Sequence, residues 1–443
     1  MAFQVSPGVL VQERDLTRII PAVSTAIGAF AGSFNKGPLD EIVSISSEQE
    51  LVETFGKPDS TNFEYFFSAA NFLQYSNSLR VVRATQTNAV NASTSGTGVL
   101  IKNTDDWTNN YASGGQAGNA TFVAREAGTD GNNLQVSTCP NAAAYEEEGA
   151  TTVNDASTAV GDTVVTATAG ANLNVGDIIS FSTTAATNDY DDGEQYRVTN
   201  IATNDVTIVQ HPRGSGGLKR VLTDGSNIRR RWKYYDAVDG APGTSTYVSE
   251  RNGANDEIHV VVIDEDGGIS GVPGTILETF SKLSKASDAK DPQGNDNYYP
   301  NVIYTKSQYI YWTKHHASGS NWGNAASGTT FTAVNDPTLE TMSGGSNGST
   351  VTTGQIKTAY DKFADSETVD IGLIIAGPCD STHIENLITI AEARKDCVVF
   401  VSPERSDVVN VTNSNTQKSN VVSFFSTISS TSYASFDSGY KYM

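Results

Sequence analysis

The sequence predicts a mixed α/β, multidomain chain: an α/β core carrying an inserted small β-barrel or β-sandwich that protrudes from it. Three observations lead there. Apolar strands alternate with helix-length amphipathic segments towards both ends of the chain. The middle instead holds short β-branched runs separated by turn residues, and the 443 residues suffice for about three domains with separate cores. The expected division is an N-terminal arm at 1–20, a first part of the core at 21–97, and an outer β-rich region at 98–256 with a nested β insertion at about 150–212. A second part of the core follows at 257–443.

Taken in order, Phe3, Val5, Val9 and Val11 fall on alternate positions with Pro7 and Gly8 between them, the period of a kinked strand. A strand so near a chain end can pair within its own domain or be donated to the sheet edge of another subunit. Residues 22–30 read as a small-residue strand closed by Lys36, Gly37 and Pro38. Ser47 with Glu50, and Thr61 with Glu64, have capping-box spacing, so each starts a helix. The second helix is aromatic on one face, through Phe63, Phe66 and Phe67, and the strand LRVVRA at 79–84 follows.

Beyond residue 84 the texture turns to Thr, Asn, Ser and Gly, a domain exit. The runs TVVTAT, VGDIISF, EQYRVTNI and DVTIV within 151–212 then predict strands of a small barrel or sandwich. Further on, IHVVVID at 258–264 reads as a buried strand, 275–286 as an amphipathic helix and 301–312 as strand-like. A helix at 355–364, a strand at 369–376, a helix at 382–394 and a strand at 397–401 complete an α/β pattern with largely parallel pairing.

Composition narrows the function. The net charge of -21, from 29 basic and 50 acidic residues, opposes binding to phosphate backbones or anionic membranes. The triplet Arg229, Arg230 and Arg231 reads as a solvated or salt-bridged stretch. Cys139, Cys379 and Cys397 are odd in number and far apart, which indicates packed, reduced thiols. No window approaches the roughly 18 apolar residues of a spanning helix, and no signal peptide opens the chain.

Few residue groups suggest chemistry. Gly344 to Gly348 spell G-x-S-x-G around Ser346, with His383 and Asp370 or Asp380 following in hydrolase order, but no apolar strand leads into the motif. The acidic runs at 189–194 and 264–268 do not match the EF-hand ligand positions, and the adjacent His315 and His316 would diverge on a strand. Gly32 to Gly37 has phosphate-loop spacing, yet Pro38 and Leu39 stand where Lys and Ser or Thr are required. The residues therefore predict neither a catalytic or metal site nor a cofactor, and the candidate functional residues are the strand arm Phe3, Val5, Val9 and Val11.

Together these segments resemble the tail sheath family of contractile (myovirus) bacteriophages, particularly its larger T-even-like members. The resemblance is carried by PGV at 7–9 with Glu13, KGP at 36–38, FG at 55–56 and LRVVRA at 79–84. It continues in DEIHVVVIDEDGGISGVPGTILETFSKLSKASDAK at 256–290, AEARKDCVVFVSPERSDVV at 391–409 and SYASFDSGYKYM at 432–443. It implies a virion structural protein made in the host cytoplasm, polymerising as stacked hexameric rings around a tail tube. Terminal arms would complete neighbouring sheets, and the baseplate and tail terminator would be further partners. Contraction would then drive the tube through the host envelope. The resemblance also implies a C-terminal region beyond the tyrosine-rich motif, so a form ending at 443 is expected to be impaired in building long sheath. Two other readings remain at this stage: a tail-associated serine hydrolase using Ser346, and a β-rich host-receptor-binding adhesin using 150–212.

Overall fold

The five residues GAFAG at Gly28–Gly32 are wholly buried, as a strand must be when helices cover both its faces. They sit inside a six-stranded sheet in the computed structural model, which describes residues 27–437. The sheet order is Ala434–Phe436, Val398–Val401, Leu373–Ile375, Gly28–Gly32, Leu79–Arg83, Ile42–Ile45. Every pairing is parallel except the last, where Ile42–Ile45 runs antiparallel to Leu79–Arg83. Strand alternation separates two cores. Phe30, Leu79 and Val81 face Phe55 and Phe66, which come from helices Glu48–Phe55 and Phe63–Leu73. Ala29, Ala31, Val82, Ile374 and Val399 face Tyr360, Ile384 and Leu387, which come from helices Thr353–Tyr360 and Ser381–Arg394.

Among the described residues these elements make one of two compact units, 27–86 with 350–437; the other is 87–349. Helix starts in the first unit depart from expectation in an instructive way. Ser47 caps its helix by accepting from Glu50 N, but the Glu50 carboxylate takes the N–H and hydroxyl of Ser46, leaving the reciprocal half of the box unmade. Thr61 is not a cap at all. Asp59 Oδ1 accepts both its N–H and its hydroxyl, and the helix begins two residues later after Asn62. A complete capping box instead joins Thr352 and Gln355.

The second unit holds three further sheets, so the predicted parallel pairing of 258–264 is corrected. Glu257–Asp264 lies between Thr275–Ser284 and Leu134–Cys139, antiparallel to both, and Thr338–Thr341 forms the far edge. The segment 275–286 thus holds the strand Thr275–Ser284 and not the expected helix. The reason is a bulge: Lys282 has φ +51 and donates its N–H to His259 Nδ1, which turns Phe280 and Leu283 into the same core three residues apart. That spacing imitates a helix. The reverse holds at 301–312, where Pro300 pre-sets the first turn of helix Tyr299–Lys306 and only Ile310–Trp312 is strand. Ile310–Trp312 pairs with Phe122–Ala127, which pairs with Asn91–Ser93. Trp107 seals this core, stacking on Tyr304 with centroids 4.4 Å apart and donating Nε1–H to Trp312 O at 2.8 Å.

The expected insertion forms its own antiparallel six-stranded sheet, wider than 150–212. Its order is Glu146–Thr152, Ser226–Arg231, Ile178–Ala185, Gln195–Ala202, Asp205–His211, Val164–Thr166. Its core contains Ile179, Phe181, Tyr196, Val198, Ile208 and Ile228. The outermost strands approach one another through a Val153–Ala167 bridge, with Asn154 N donating to Thr166 O at 2.9 Å and Thr168 N to Thr152 O at 2.8 Å.

Arg230, with its side chain only 1% exposed, ties the insertion to the rest of its unit. It donates to Glu147 at 3.0 Å, Asp336 at 3.1 Å and the carbonyls of Ala143 and Asn335. Arg231 is less buried and pairs with Glu146 at 2.6 Å. Replacing Arg230 by Ala removes four charge-assisted bonds and a filled volume together. The expected cost is about 2–4 kcal/mol in urea denaturation, against under about 1 kcal/mol for Arg231→Ala. Equal effects would contradict this account of the arginine triplet.

Candidate functional site

For a chain without an evident reaction centre, the places where it can be joined to something else are its sheet edges. The predicted arm, Phe3, Val5, Val9 and Val11, lies outside the described residues. The described sheet of the first unit has two terminal strands, Ile42–Ile45 and Ala434–Phe436, each paired on one side among the described residues. Ile42–Ile45 presents partly buried Ile42 and Val43 to opposite faces, and its main chain on the outer side offers the N–H and C=O groups that an added strand requires. Neither strand was singled out by the sequence, because an edge is defined by what fails to pair with it.

The groups around Ser346 are engaged locally. Its backbone exchanges both hydrogen bonds with Val90, N to Val90 O and O from Val90 N, each 3.0 Å. Its hydroxyl oxygen accepts from Gly348 N at 3.1 Å. The glycines serve packing: a Cβ on Gly345 would stand 2.3 Å from Gly128 O, and Gly344 has φ +81. His383, Asp370 and Asp380 belong to the other compact unit. The His383 ring is buried against Tyr360, with centroids 5.1 Å apart, and Asp380 caps the helix by accepting from His383 N at 2.8 Å.

The remaining candidates are used locally. Asp189 accepts from the Thr183 hydroxyl, Asp192 pairs with Arg229 and Arg231, and Glu194 pairs with Arg220 at 2.9 Å. One Asp264 oxygen accepts three hydrogen bonds from Ile269 and Ser270, which fold the turn after that strand. Among the described residues no group of three or more His, Cys, Asp or Glu is placed to hold a metal ion, and no helix is long and apolar enough to cross a membrane. His315 bonds the hydroxyls of Tyr299 at 2.5 Å and Tyr298 at 3.2 Å, whereas His316 accepts from Ser318 N. In the loop with phosphate-binding spacing, Gly37 O accepts from the buried Arg83 at 2.8 Å, so this loop is already held by a protein cation. The three cysteines are free thiols, and burial pushes Cys139 upward and Cys379 up to about 12, far from thiolate reactivity.

What the described residues define is a multi-sheet α+β protein. Comparison with known proteins finds similarity to tail sheath proteins. The profile described as "Tail sheath protein Gp18 domain III N-terminal region" matches residues 25–84, which contain the buried Gly28–Gly32 strand and its neighbour Leu79–Arg83. The tail sheath protein of Enterobacteria phage T4 is 26% identical over 488 aligned residues, covering 99% of this chain and 69% of that protein. That of Salmonella phage ViI is 25% identical over 465, covering 100% and 67%. A sheath tail protein from Listeria innocua of solved structure is 9% identical with a TM-score of 0.35, and the chain spans 48% of that protein's length. The resemblance to myovirus tail sheath proteins read from short motifs is therefore found along the whole chain in curated homologues of that name.

Two outcomes test the local roles. Gly345→Ala is expected to lower unfolding free energy by about 1–3 kcal/mol through overpacking, while Ser346→Ala changes it by under about 0.5 kcal/mol. Burial lowers the pKa of His383, like those of His259 and His315, to about 4. Each contribution is complete above the unfolded pKa near 6.5 and is lost as pH falls towards 4, by at most roughly 3 kcal/mol per histidine. Asp177, raised to about 7 chiefly by burial, acts oppositely, its contribution fading as pH rises from about 4 through 7. Urea midpoints at pH 7 and pH 4.5 should therefore differ less in His383→Leu than in the wild type; an unchanged difference would refute the assignment.

Proposed function

We propose that this chain is a structural subunit of a bacteriophage contractile tail sheath. The observation that carries the reading is the match to curated tail sheath proteins over 99% and 100% of the chain. It is supported by a fold in which the candidate reactive groups serve packing, capping and ion pairing, while two terminal strands of the first unit's sheet are paired on one side among the described residues. In this reading subunits stack as hexameric rings around a tail tube, and assembly ends at the baseplate and tail terminator. The arm bearing Phe3, Val5, Val9 and Val11 adds a strand to a sheet edge of a neighbouring subunit, main-chain hydrogen bonds giving affinity and alternate side chains giving register. The insertion expected at about 150–212 is a small β-barrel or β-sandwich.

Contraction is an exchange between two packings of the same folded domains, and the baseplate releases the metastable one. The work comes from interface area and complementarity, with no cofactor. The protein is made in the host cytoplasm and resides in the virion.

Electron microscopy of the purified chain is expected to show rings or short helical stacks. Replacing Phe3, Val5, Val9 and Val11 by Asp should abolish them without changing thermal stability. Unaltered stacks in that variant would sink the arm assignment. A strictly monomeric wild type with hydrolase activity lost in Ser346→Ala would sink the structural reading altogether.

A further inference from the structure

In the second unit a cleft opens between strand Gln195–Ala202 and the edge strand Thr338–Thr341. Its volume is about 310 Å³, and an adjoining hollow of about 220 Å³ shares Val175, Lys233 and Leu339 with it. Two cations line it, Arg197 and the half-buried Lys233. Among the described residues neither side chain makes an ion pair or a hydrogen bond; the Lys233 ammonium rests over the Tyr234 ring, 4.9 Å from its centroid, and is attracted by the nearby Glu265 carboxylate. This contrasts with Arg220, Arg229, Arg230 and Arg231 of the same unit, all engaged by carboxylates. The acids lining the two hollows already have partners. Glu265 accepts from Gln135 at 3.0 Å, and Asp177 is buried and accepts from Asn174 N at 2.7 Å. The walls are apolar and open: Val175 is 52% exposed and Leu339 42%.

Two cations that form no ion pair among the described residues, with Glu265 as the one carboxylate beside them in an apolar-walled cleft, suit a ligand with a short aliphatic stem and an anionic head. On a chain of net charge -21 such a place is an exception, and the most abundant matching chemistry is the chain's own set of 50 acidic residues. We propose that this cleft is a carboxylate-binding pocket and that its occupant in the assembled state is an acidic side chain of a second copy of this chain. The pocket itself is independent of the sheath reading; its occupant rests on that reading.

The experiment compares the full-length wild type with Lys233→Met and Arg197→Met, and with Lys362→Met, an exposed lysine of the other unit, as control. Self-association is followed by sedimentation between about 50 and 500 mM salt, where screening of an ion pair grows. Lys233→Met and Arg197→Met are expected to weaken association about tenfold or more and to flatten its salt dependence, with the control unchanged. Glutarate, at ionic strength matched with sodium chloride, should dissociate the wild type and leave Lys233→Met unaffected. Equilibrium dialysis of labelled glutarate reports on the pocket alone. Binding by the wild type and its loss in Lys233→Met support it, and equal binding by both overturns it. A wild type that binds glutarate but never self-associates overturns the proposed occupant and the sheath reading together. Self-association that ignores Lys233, Arg197 and glutarate overturns the occupant while the sheath reading stands.

Discussion

The first compact unit depends on burying Gly28–Gly32 on both faces and both edges. Both neighbours of this strand run parallel to it, and parallel neighbours cannot come from a tight hairpin. The chain supplies one of them, Leu79–Arg83, after two helices, and the other, Leu373–Ile375, only after returning from the whole second unit. A long excursion is therefore built into the first unit's topology. Its integrity rests on pairing residues such as Ala29 with Ile374, far apart in the chain, as well as on local helix packing.

The second unit solves a different problem. Its strands are antiparallel, so each sheet can carry one packed face, and its pieces are fastened by polar anchors buried among apolar cores. Arg230 reaches carboxylates and carbonyls from three segments, Trp232 donates to Ser137 at 2.9 Å, and the buried Lys285 donates to the carbonyls of Pro140 and Asn255. Such contacts contribute mainly geometric uniqueness, since a buried ion pair recovers little net energy after desolvation.

The comparison of sequence with structure is most informative where the reading failed. The 275–284 strand looked helical because a bulge at Lys282 placed Phe280 and Leu283 three residues apart on one side. The Thr61 cap looked right in spacing, yet Asp59 lay nearer and took the same groups. The G-x-S-x-G motif arose from a crowded backbone crossing that tolerates only glycine at 345. In each case a local pattern had two physical causes, and only the distant partner, Glu257–Asp264 in the first case and Gly128 in the last, selected between them.

Short-range physics was legible in the amino-acid sequence alone: the buried parallel strands near both ends, the β-rich module between them, the unreactive cysteines and the paired arginine triplet. These follow from periodicity, β-branching and charge balance, which act within a few residues. Tertiary structure alone decided how strands pair, which strands lie last in their sheets among the described residues and that Lys233 and Arg197 share a cleft. Those depend on contacts between segments whose separation along the chain carries no signal in composition or spacing.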